Sequence, residues 1–151
     1  MPDITIVGLG PGDPNRRTVA AQRALESARM IFVRGHDGVD LNDLLTRDNV
    51  RDIGSLYVRE VEPSRRWEAA IRIVCDAAAD GPVVLAIPGH PRYGEGMVVG
   101  TLAEADRRGM TTLVIDGISV FDLIATGLGV DPLIQAAQLF NTRMVAAEMA
   151  S

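Results

Sequence analysis

The chain has 151 residues, 47% of them apolar, so it is long enough to build one ordinary domain around one sizeable core. Its net charge of −5 argues against a nucleic-acid partner, and because all 15 basic residues are arginines, enzyme classes that need a lysine for a Schiff base or a phosphate loop are excluded. No stretch approaches the roughly 18 to 20 apolar residues of a membrane span and the N-terminus carries no signal-peptide pattern, so we expect a soluble cytoplasmic protein without a membrane partner.

The first part of the chain predicts a strand, a helix and a second strand. Residues 3–8 are β-branched and bounded by Gly and Pro, which is typical of a short buried strand. Thr18 is placed to cap a helix, and the apolar run 30–33 predicts the next strand. Residues 35–60 are polar and rich in Gly and Asp, and their short apolar patches define no clear element.

The alternation of strands and helices is clearer after residue 60. Ser64 is placed to cap a helix that carries Trp67 and the single cysteine, Cys75, both of which we interpret as core residues. The elements predicted after it are a strand at 82–87, a helix over 94–108 that stops at Gly109, and a strand at 111–116.

Strands that are apolar almost without interruption and alternate with helices indicate a parallel sheet buried on both faces. We therefore predict an α/β fold, a three-layer α/β/α sandwich around a mostly parallel sheet of about five strands, over residues 1–132. Residues 133–151 show no Gly or Pro stop signal and no further strand and helix pair. They are interpreted as the start of a linker toward a second domain that lies beyond this sequence.

Three Gly- and Pro-rich loops follow predicted strands, with the sequences GLGPGDP after the first, PGHPRYGEG after the fourth and DGISVFD after the fifth. Any one of them alone is most simply a tight turn. Because ligands bind outside the carboxyl ends of parallel strands, where such loops converge, three of them on one sheet edge predict a binding cleft.

The first loop resembles a dinucleotide fingerprint but lacks its third glycine. Pro11 and Pro14 remove backbone donors, and Asp13 places a carboxylate where a pyrophosphate would lie. The loop therefore disfavours phosphate and favours a cationic ligand such as a sulfonium.

These motifs resemble those of the tetrapyrrole (corrin/porphyrin) methylases. VGLGPGDPNRRT is similar to the opening family motif, a strand followed by GxGPGDPxxLT, and AIPGHPRYGEG and DGISVFD are similar to the second and third cofactor loops. The Gly-His-Pro form resembles the YabN-like branch, which is often fused to a MazG nucleotide pyrophosphohydrolase. The resemblance runs in order from residue 3 to about 131, the N-terminal domain of a two-domain fold.

The resemblance implies an S-adenosylmethionine-dependent methyltransferase that releases S-adenosylhomocysteine, acts on a small-molecule substrate and forms a homodimer. The positions that fall on the family's cofactor loops are Pro11, Gly89, His90, Tyr93, Ser119 and Val120. Three departures are visible: Arg16-Arg17 replaces an apolar pair, His90 replaces the commoner Asp, and Asp116 stands where Pro is usual.

Methyl transfer to an activated carbon needs alignment rather than a nucleophilic triad, so we assign no catalytic residue, and His90 is the leading polar candidate. His36 has no partner at a metal-ligand spacing, and no metal site is predicted. Tyr93 is as well placed to cover a helix start as to stack on a ligand, and Asp13 is interpreted as a turn cap.

Two other functions remain open on the sequence. One is the NADP-binding half of an oxidoreductase, with Arg34 meeting the 2′-phosphate. The other is a non-catalytic ligand-binding or dimerisation module beside a nucleotide pyrophosphohydrolase. A chain that ends before its second domain is also expected to be inactive alone if that domain completes the active site.

Overall fold

The computed structural model of the chain describes residues 1–35, 40–58, 61–62 and 65–140. It divides into two compact units, Met1–Val120 and Phe121–Ser151. Within the described part, the strands are β1 (Ile4–Gly8), β2 (Ile31–Val33), β3 (Val50–Asp52), β4 (Val83–Ile87) and β5 (Thr112–Ile115). The helices are α1 (Val19–Ser27), α2 (Asn42–Leu45), α3 (Glu68–Ala79), α4 (Gly96–Arg107) and α5 (Val120–Leu128).

The five strands form one sheet in the order β3-β2-β4-β1-β5, and every neighbouring pair is parallel. In the centre of the sheet, Ile6 of β1 lies opposite Leu85 of β4 on one side and Val114 of β5 on the other. The predicted α/β fold with a parallel sheet of about five strands is confirmed. Because all strands run the same way, the loops after β1, β4 and β5 leave the sheet at one edge.

Two apolar cores lie on the two faces of this sheet. Successive residues of β1 point alternately into the two cores. Ile4 and Ile6 pack with α3 and α4, whereas Val7 packs with α1 and α2. The first unit is therefore the predicted three-layer sandwich. The prediction that the strands are buried on both faces is confirmed for β1, β2 and β4. It is wrong for β5, an edge strand in which Leu113 is 47% exposed.

The ends of the helices follow local chemistry. Thr18 caps α1 as predicted, because its hydroxyl accepts a hydrogen bond from the Ala21 N–H at 3.1 Å. Gly94 has a φ of +72°, which no helix accommodates, so α4 begins at Gly96 instead of the predicted residue 94. Helix α3 begins at Glu68, and its predicted cap, Ser64, lies outside the described residues.

Helix α5 was not predicted. It starts at the last residue of the first unit, and Gly129, with a φ of +66°, ends it in the second. The second unit continues with a turn in which the Asp131 carboxylate accepts hydrogen bonds from the N–H groups of Leu133 and Ile134. Among the described residues, no helix is both long and apolar enough to cross a membrane. The predicted boundary at residue 132 stays a prediction.

Candidate functional site

The first and second loops, residues 8–17 and 88–95, are joined by their backbones. Gly10 donates to the Gly89 carbonyl at 3.2 Å, and Gly89 donates back to the Gly10 carbonyl at 2.7 Å. Both glycines have positive φ, +74° and +75°, a conformation that side chains disfavour. This isolated antiparallel bridge fixes the spacing of the two loops beyond the end of the sheet.

The third loop, residues 116–119, packs against the same point. A Cβ on Gly8 would lie 2.5 Å from the backbone nitrogen of Gly117 and 2.8 Å from the Gly89 carbonyl oxygen. No side chain fits in that space, so glycine is required where the main chains of the three loops come into contact.

Beside this contact lies a cleft of about 350 Å³, entirely within the first unit. Its lining residues are Gly10, Pro11, Arg34, Pro88, Gly89, His90, Tyr93, Glu95, Ser119 and Val120. The structure thus brings together all six residues that the sequence assigned to cofactor loops. Their role in binding stays a prediction, and their shared location is a fact of the fold.

His90 is held by groups from two loops. Its Nδ1 accepts a hydrogen bond from the Arg92 N–H at 3.1 Å, and its Nε2 lies 3.5 Å from Oδ1 of Asp116 in the third loop. The Tyr93 ring packs at a tilt against the imidazole, with centroids 4.9 Å apart. Tyr93 therefore both lines the cleft and braces His90.

Two charged residues in the cleft wall were not assigned to the cofactor loops. Arg34, directly after β2, donates from Nη2 to Oε1 of Glu95 at 2.5 Å, and the two side chains are only 12% and 15% exposed. Strands β2 and β4 are neighbours, which places the residue after β2 beside the loop after β4. Strand order was the signal needed to find this pair, and the sequence alone does not supply it.

The Arg34 guanidinium lies over the aromatic ring of Trp67. Its guanidinium carbon lies 5.7 Å from the centre of the Trp67 ring, and Trp67 packs on Tyr57 at 4.7 Å between centroids. Trp67 is partly buried against the core, as predicted, and it also supports a residue of the cleft.

Residues 3–146 match the sequence model of the Tetrapyrrole (Corrin/Porphyrin) Methylases. The chain belongs to this family. YabN of Bacillus subtilis (strain 168), described as uncharacterized, is 29% identical over 131 residues, which cover 86% of this chain and 27% of YabN. The chloroplastic S-adenosyl-L-methionine-dependent uroporphyrinogen III methyltransferase of Arabidopsis thaliana is 31% identical over 134 residues, 85% of this chain and 34% of that protein.

The fold is also similar to solved methylase structures. Uroporphyrin III C-methyl transferase from Thermus thermophilus superposes with a TM-score of 0.60 at 25% identity, over 82% of this chain and 51% of that one. This chain thus spans about half of the solved protein, about a quarter of YabN and about a third of the Arabidopsis thaliana relative.

The first methylase loop is anchored away from the cleft. Asp13 accepts a hydrogen bond from the Asn15 N–H at 2.9 Å, so it caps the short turn as predicted. Arg17, whose side chain is 3% exposed, forms a two-pronged ion pair with Asp43 of α2. The hydrogen bond from Arg17 lowers the pKa of the Asp43 carboxyl.

Other residues singled out in the sequence take no part in the cleft. Cys75 is fully buried in the core, and burial raises the pKa of its thiol. His36 lies outside the described residues. Within the described ranges, no group of three or more His, Cys, Asp or Glu side chains is arranged to hold a metal ion.

Proposed function

We propose that this methylase chain binds S-adenosylmethionine in the cleft between its three loops and serves as the cofactor-binding domain of a methyltransferase. The observation that carries the proposal is that the six residues at the family's cofactor positions line one cavity at the carboxyl edge of the sheet. The similarity to the S-adenosyl-L-methionine-dependent methyltransferase of Arabidopsis thaliana supports the choice of ligand.

The chemistry of the cleft fits a nucleoside with a cationic sulfur better than a phosphate. Pro11 and Pro88 have no N–H to donate, and the Arg34 guanidinium is already paired with Glu95. The carboxylate of Asp116 adds negative charge beside His90. Backbone carbonyls and the Ser119 hydroxyl supply the remaining polar contacts that such a ligand needs.

The same features disfavour the NADP alternative. A 2′-phosphate would have to displace Glu95 from Arg34, and an ion pair that is nearly buried is costly to break. The first loop also leads into a short 3-10 helix at Pro14–Arg16, and α1 starts only at Val19, so no α-helix begins directly after its glycines as a dinucleotide fingerprint requires.

In methyl transfer the residues of this chain have a positioning role. When bound, S-adenosylmethionine supplies an electrophilic methyl group on a sulfonium. The Gly10–Gly89 bridge and Pro11 would hold S-adenosylmethionine in the cleft, and Tyr93 and Val120 would contact it from the cleft wall. The chain's own contribution is therefore orientation of the ligand.

The test is calorimetric titration of the whole chain with S-adenosylhomocysteine, with NADP as the comparison ligand. We expect one site for S-adenosylhomocysteine and no heat of binding for NADP. Tyr93→Ala should weaken binding about tenfold by removing a ring from the cleft wall, whereas Tyr57→Phe, outside the cleft, should not. Binding of NADP alone, or of neither ligand, would reject the proposal.

Turnover separates an enzyme from a binding module. Transfer of a labelled methyl group to uroporphyrinogen III, the substrate in the name of the Arabidopsis thaliana relative, is the first reaction to assay. Ligand binding without transfer to any tetrapyrrole, in the full-length protein, would favour the non-catalytic module. Homodimerisation remains a proposal, which light scattering tests. Fusion to a nucleotide pyrophosphohydrolase is a second proposal, which the length of the full gene tests.

A further inference from the structure

His90 and Asp116 belong to different loops, and each departs from the usual family residue at its position. The structure places them in contact, with Nε2 of His90 3.5 Å from Oδ1 of Asp116. His90 is mostly buried in the cleft wall, with 19% of its side chain exposed, whereas Asp116 is 75% exposed at the rim. The two departures therefore form one paired feature.

The hydrogen bonds of the imidazole determine its tautomer. A backbone N–H can only donate, so Nδ1, which accepts from Arg92, carries no proton in the neutral ring. The proton of the neutral imidazole then lies on Nε2, which faces the Asp116 carboxylate. Nδ1 thus accepts a hydrogen bond, and Nε2 lies at ion-pair distance from a carboxylate.

We propose that Asp116 is a positioning residue that orients the His90 ring, whose tautomer the Arg92 N–H fixes, and thereby connects the second loop to the third across the cleft. The part that concerns ligand affinity rests on the proposed function. The carboxylate acts through His90, since Asp116 itself does not line the cavity.

The backbone of Asp116 is held in place by a hydrogen bond. Its backbone carbonyl accepts a hydrogen bond from the Thr18 hydroxyl at 3.3 Å, and Thr18 is also the cap of α1. On the opposite side, the Tyr93 ring limits rotation of the imidazole. The pair is therefore anchored at both ends to the loops that form the cleft.

This arrangement assigns His90 a different role from that of a general base. A base needs a free lone pair directed at the substrate, and the lone pair of Nδ1 is already used by the Arg92 N–H. His90 instead supports the cleft wall at the position where the second and third loops meet.

Nuclear magnetic resonance of the imidazoles tests the geometry directly. The chain contains only two histidines, so His36→Gln leaves His90 as the single ring to observe. We expect an unprotonated Nδ1 and a slowly exchanging Nε2–H proton, which disappears in Asp116→Ala and persists in Asp116→Asn. A protonated Nδ1, or an Nε2–H signal that is unchanged in Asp116→Ala, would overturn the proposal.

Titration with S-adenosylhomocysteine tests the consequence for the cleft. Asp116→Ala should weaken binding roughly fivefold to tenfold, while Asp116→Asn, which keeps an acceptor oxygen, should stay within about twofold of the parent. Asp106→Asn on the exposed side of α4 makes the same change in net charge and serves as the control. Equal loss in the Asn and Ala variants, or no loss in either, would contradict a positioning role.

The two measurements can reject the proposed function and the positioning role of Asp116 separately. If the parent chain binds no S-adenosylhomocysteine, the proposed function fails, and the ring spectra still decide whether Asp116 holds His90. If the parent binds but the spectra show a protonated Nδ1, the proposed function stands and the positioning role is rejected.

Discussion

Gly117 lies so close to Gly89 that a Cβ built on Gly117 would be 2.3 Å from the Gly89 carbonyl oxygen. The obstructing atoms are backbone, so they cannot turn away as a flexible side chain could. Gly117→Ala should therefore push the third loop away from the second, lowering the free energy of unfolding by about 1–3 kcal/mol. We also expect at least a tenfold loss of S-adenosylhomocysteine affinity, measured by calorimetry.

Gly127→Ala is the matched control, because a Cβ there meets nothing within 4 Å and the residue lies inside α5. Replacing a helical glycine by alanine should stabilise the protein by about 0.5–1 kcal/mol and leave ligand binding unchanged. The prediction is contradicted if Gly117→Ala, like the control, binds S-adenosylhomocysteine as tightly as the parent. Backbone contact between the loops would then not determine the shape of the cleft.

The second prediction concerns the Arg34–Glu95 pair. Glu95→Gln removes the negative charge that pairs with the Arg34 guanidinium. Because the two side chains are only 12% and 15% exposed, water replaces that charge poorly. We expect a loss of about 1–3 kcal/mol in the free energy of unfolding, measured by urea denaturation. Glu68→Gln removes the exposed partner of Arg65 and should cost less than about 1 kcal/mol. Equal losses in the two variants would show that burial adds nothing to the cleft pair.

The third prediction uses Trp67, the single tryptophan of the chain, as a reporter. Its ring lies 5.7 Å from the guanidinium carbon of Arg34, which lines the cleft. Ligand that enters the cleft should change the surroundings of Arg34 and hence the tryptophan emission, with the same dissociation constant as calorimetry gives. In Arg34→Met the emission change should shrink even at saturating ligand. An unchanged emission of the parent while calorimetry records binding would place the ligand elsewhere.

The fourth prediction is a pH dependence from the α3–α4 contact. Glu104 accepts hydrogen bonds from Arg107 and Arg108, which lower its pKa from 4.5 to about 2, and Arg108 also reaches Asp76 on α3. Because the folded pKa is depressed, this stabilisation is present above pH 4.5 and is lost as the pH falls toward 2.

Urea denaturation of Glu104→Gln at several pH values measures this effect. The variant should be less stable than the parent at pH 7, and the difference should narrow as the pH falls from 4.5 to 2. Asp106→Asn, at an exposed position of the same helix, shows what loss of a carboxylate does in general. A difference between parent and Glu104→Gln that is constant with pH would contradict the assigned cause.

The elements that could be predicted from sequence are those with strong local signals. Strands β1 and β4 are buried five-residue segments rich in β-branched residues, and Gly81 and Gly109, both at positive φ, mark helix ends. Local chemistry decides such features, so a single sequence reveals them. The three loops could likewise be placed at one edge, since parallel strands bring their carboxyl ends together.

Apart from the nine-residue helix α5, the features that escaped prediction depend on short elements or on strand order. Helix α2 and strand β3 have four and three residues, too few to show a period. The Arg34–Glu95 and His90–Asp116 contacts join residues that are far apart in sequence and meet only because of the order of the strands in the sheet. The sequence singled out Arg34, His90 and Asp116, but it indicated neither Glu95 nor either pairing.

Main-chain atoms of Gly8, Gly89 and Gly117 form the common junction of the three loops, and side chains cover only the surface around it. The main-chain junction therefore does not depend on which side chains occupy positions 93 and 120 of the cleft wall. Exchanges at these two positions can retune ligand preference over evolutionary time at little cost in stability, whereas a single methyl group added at Gly8 or Gly117 has no room.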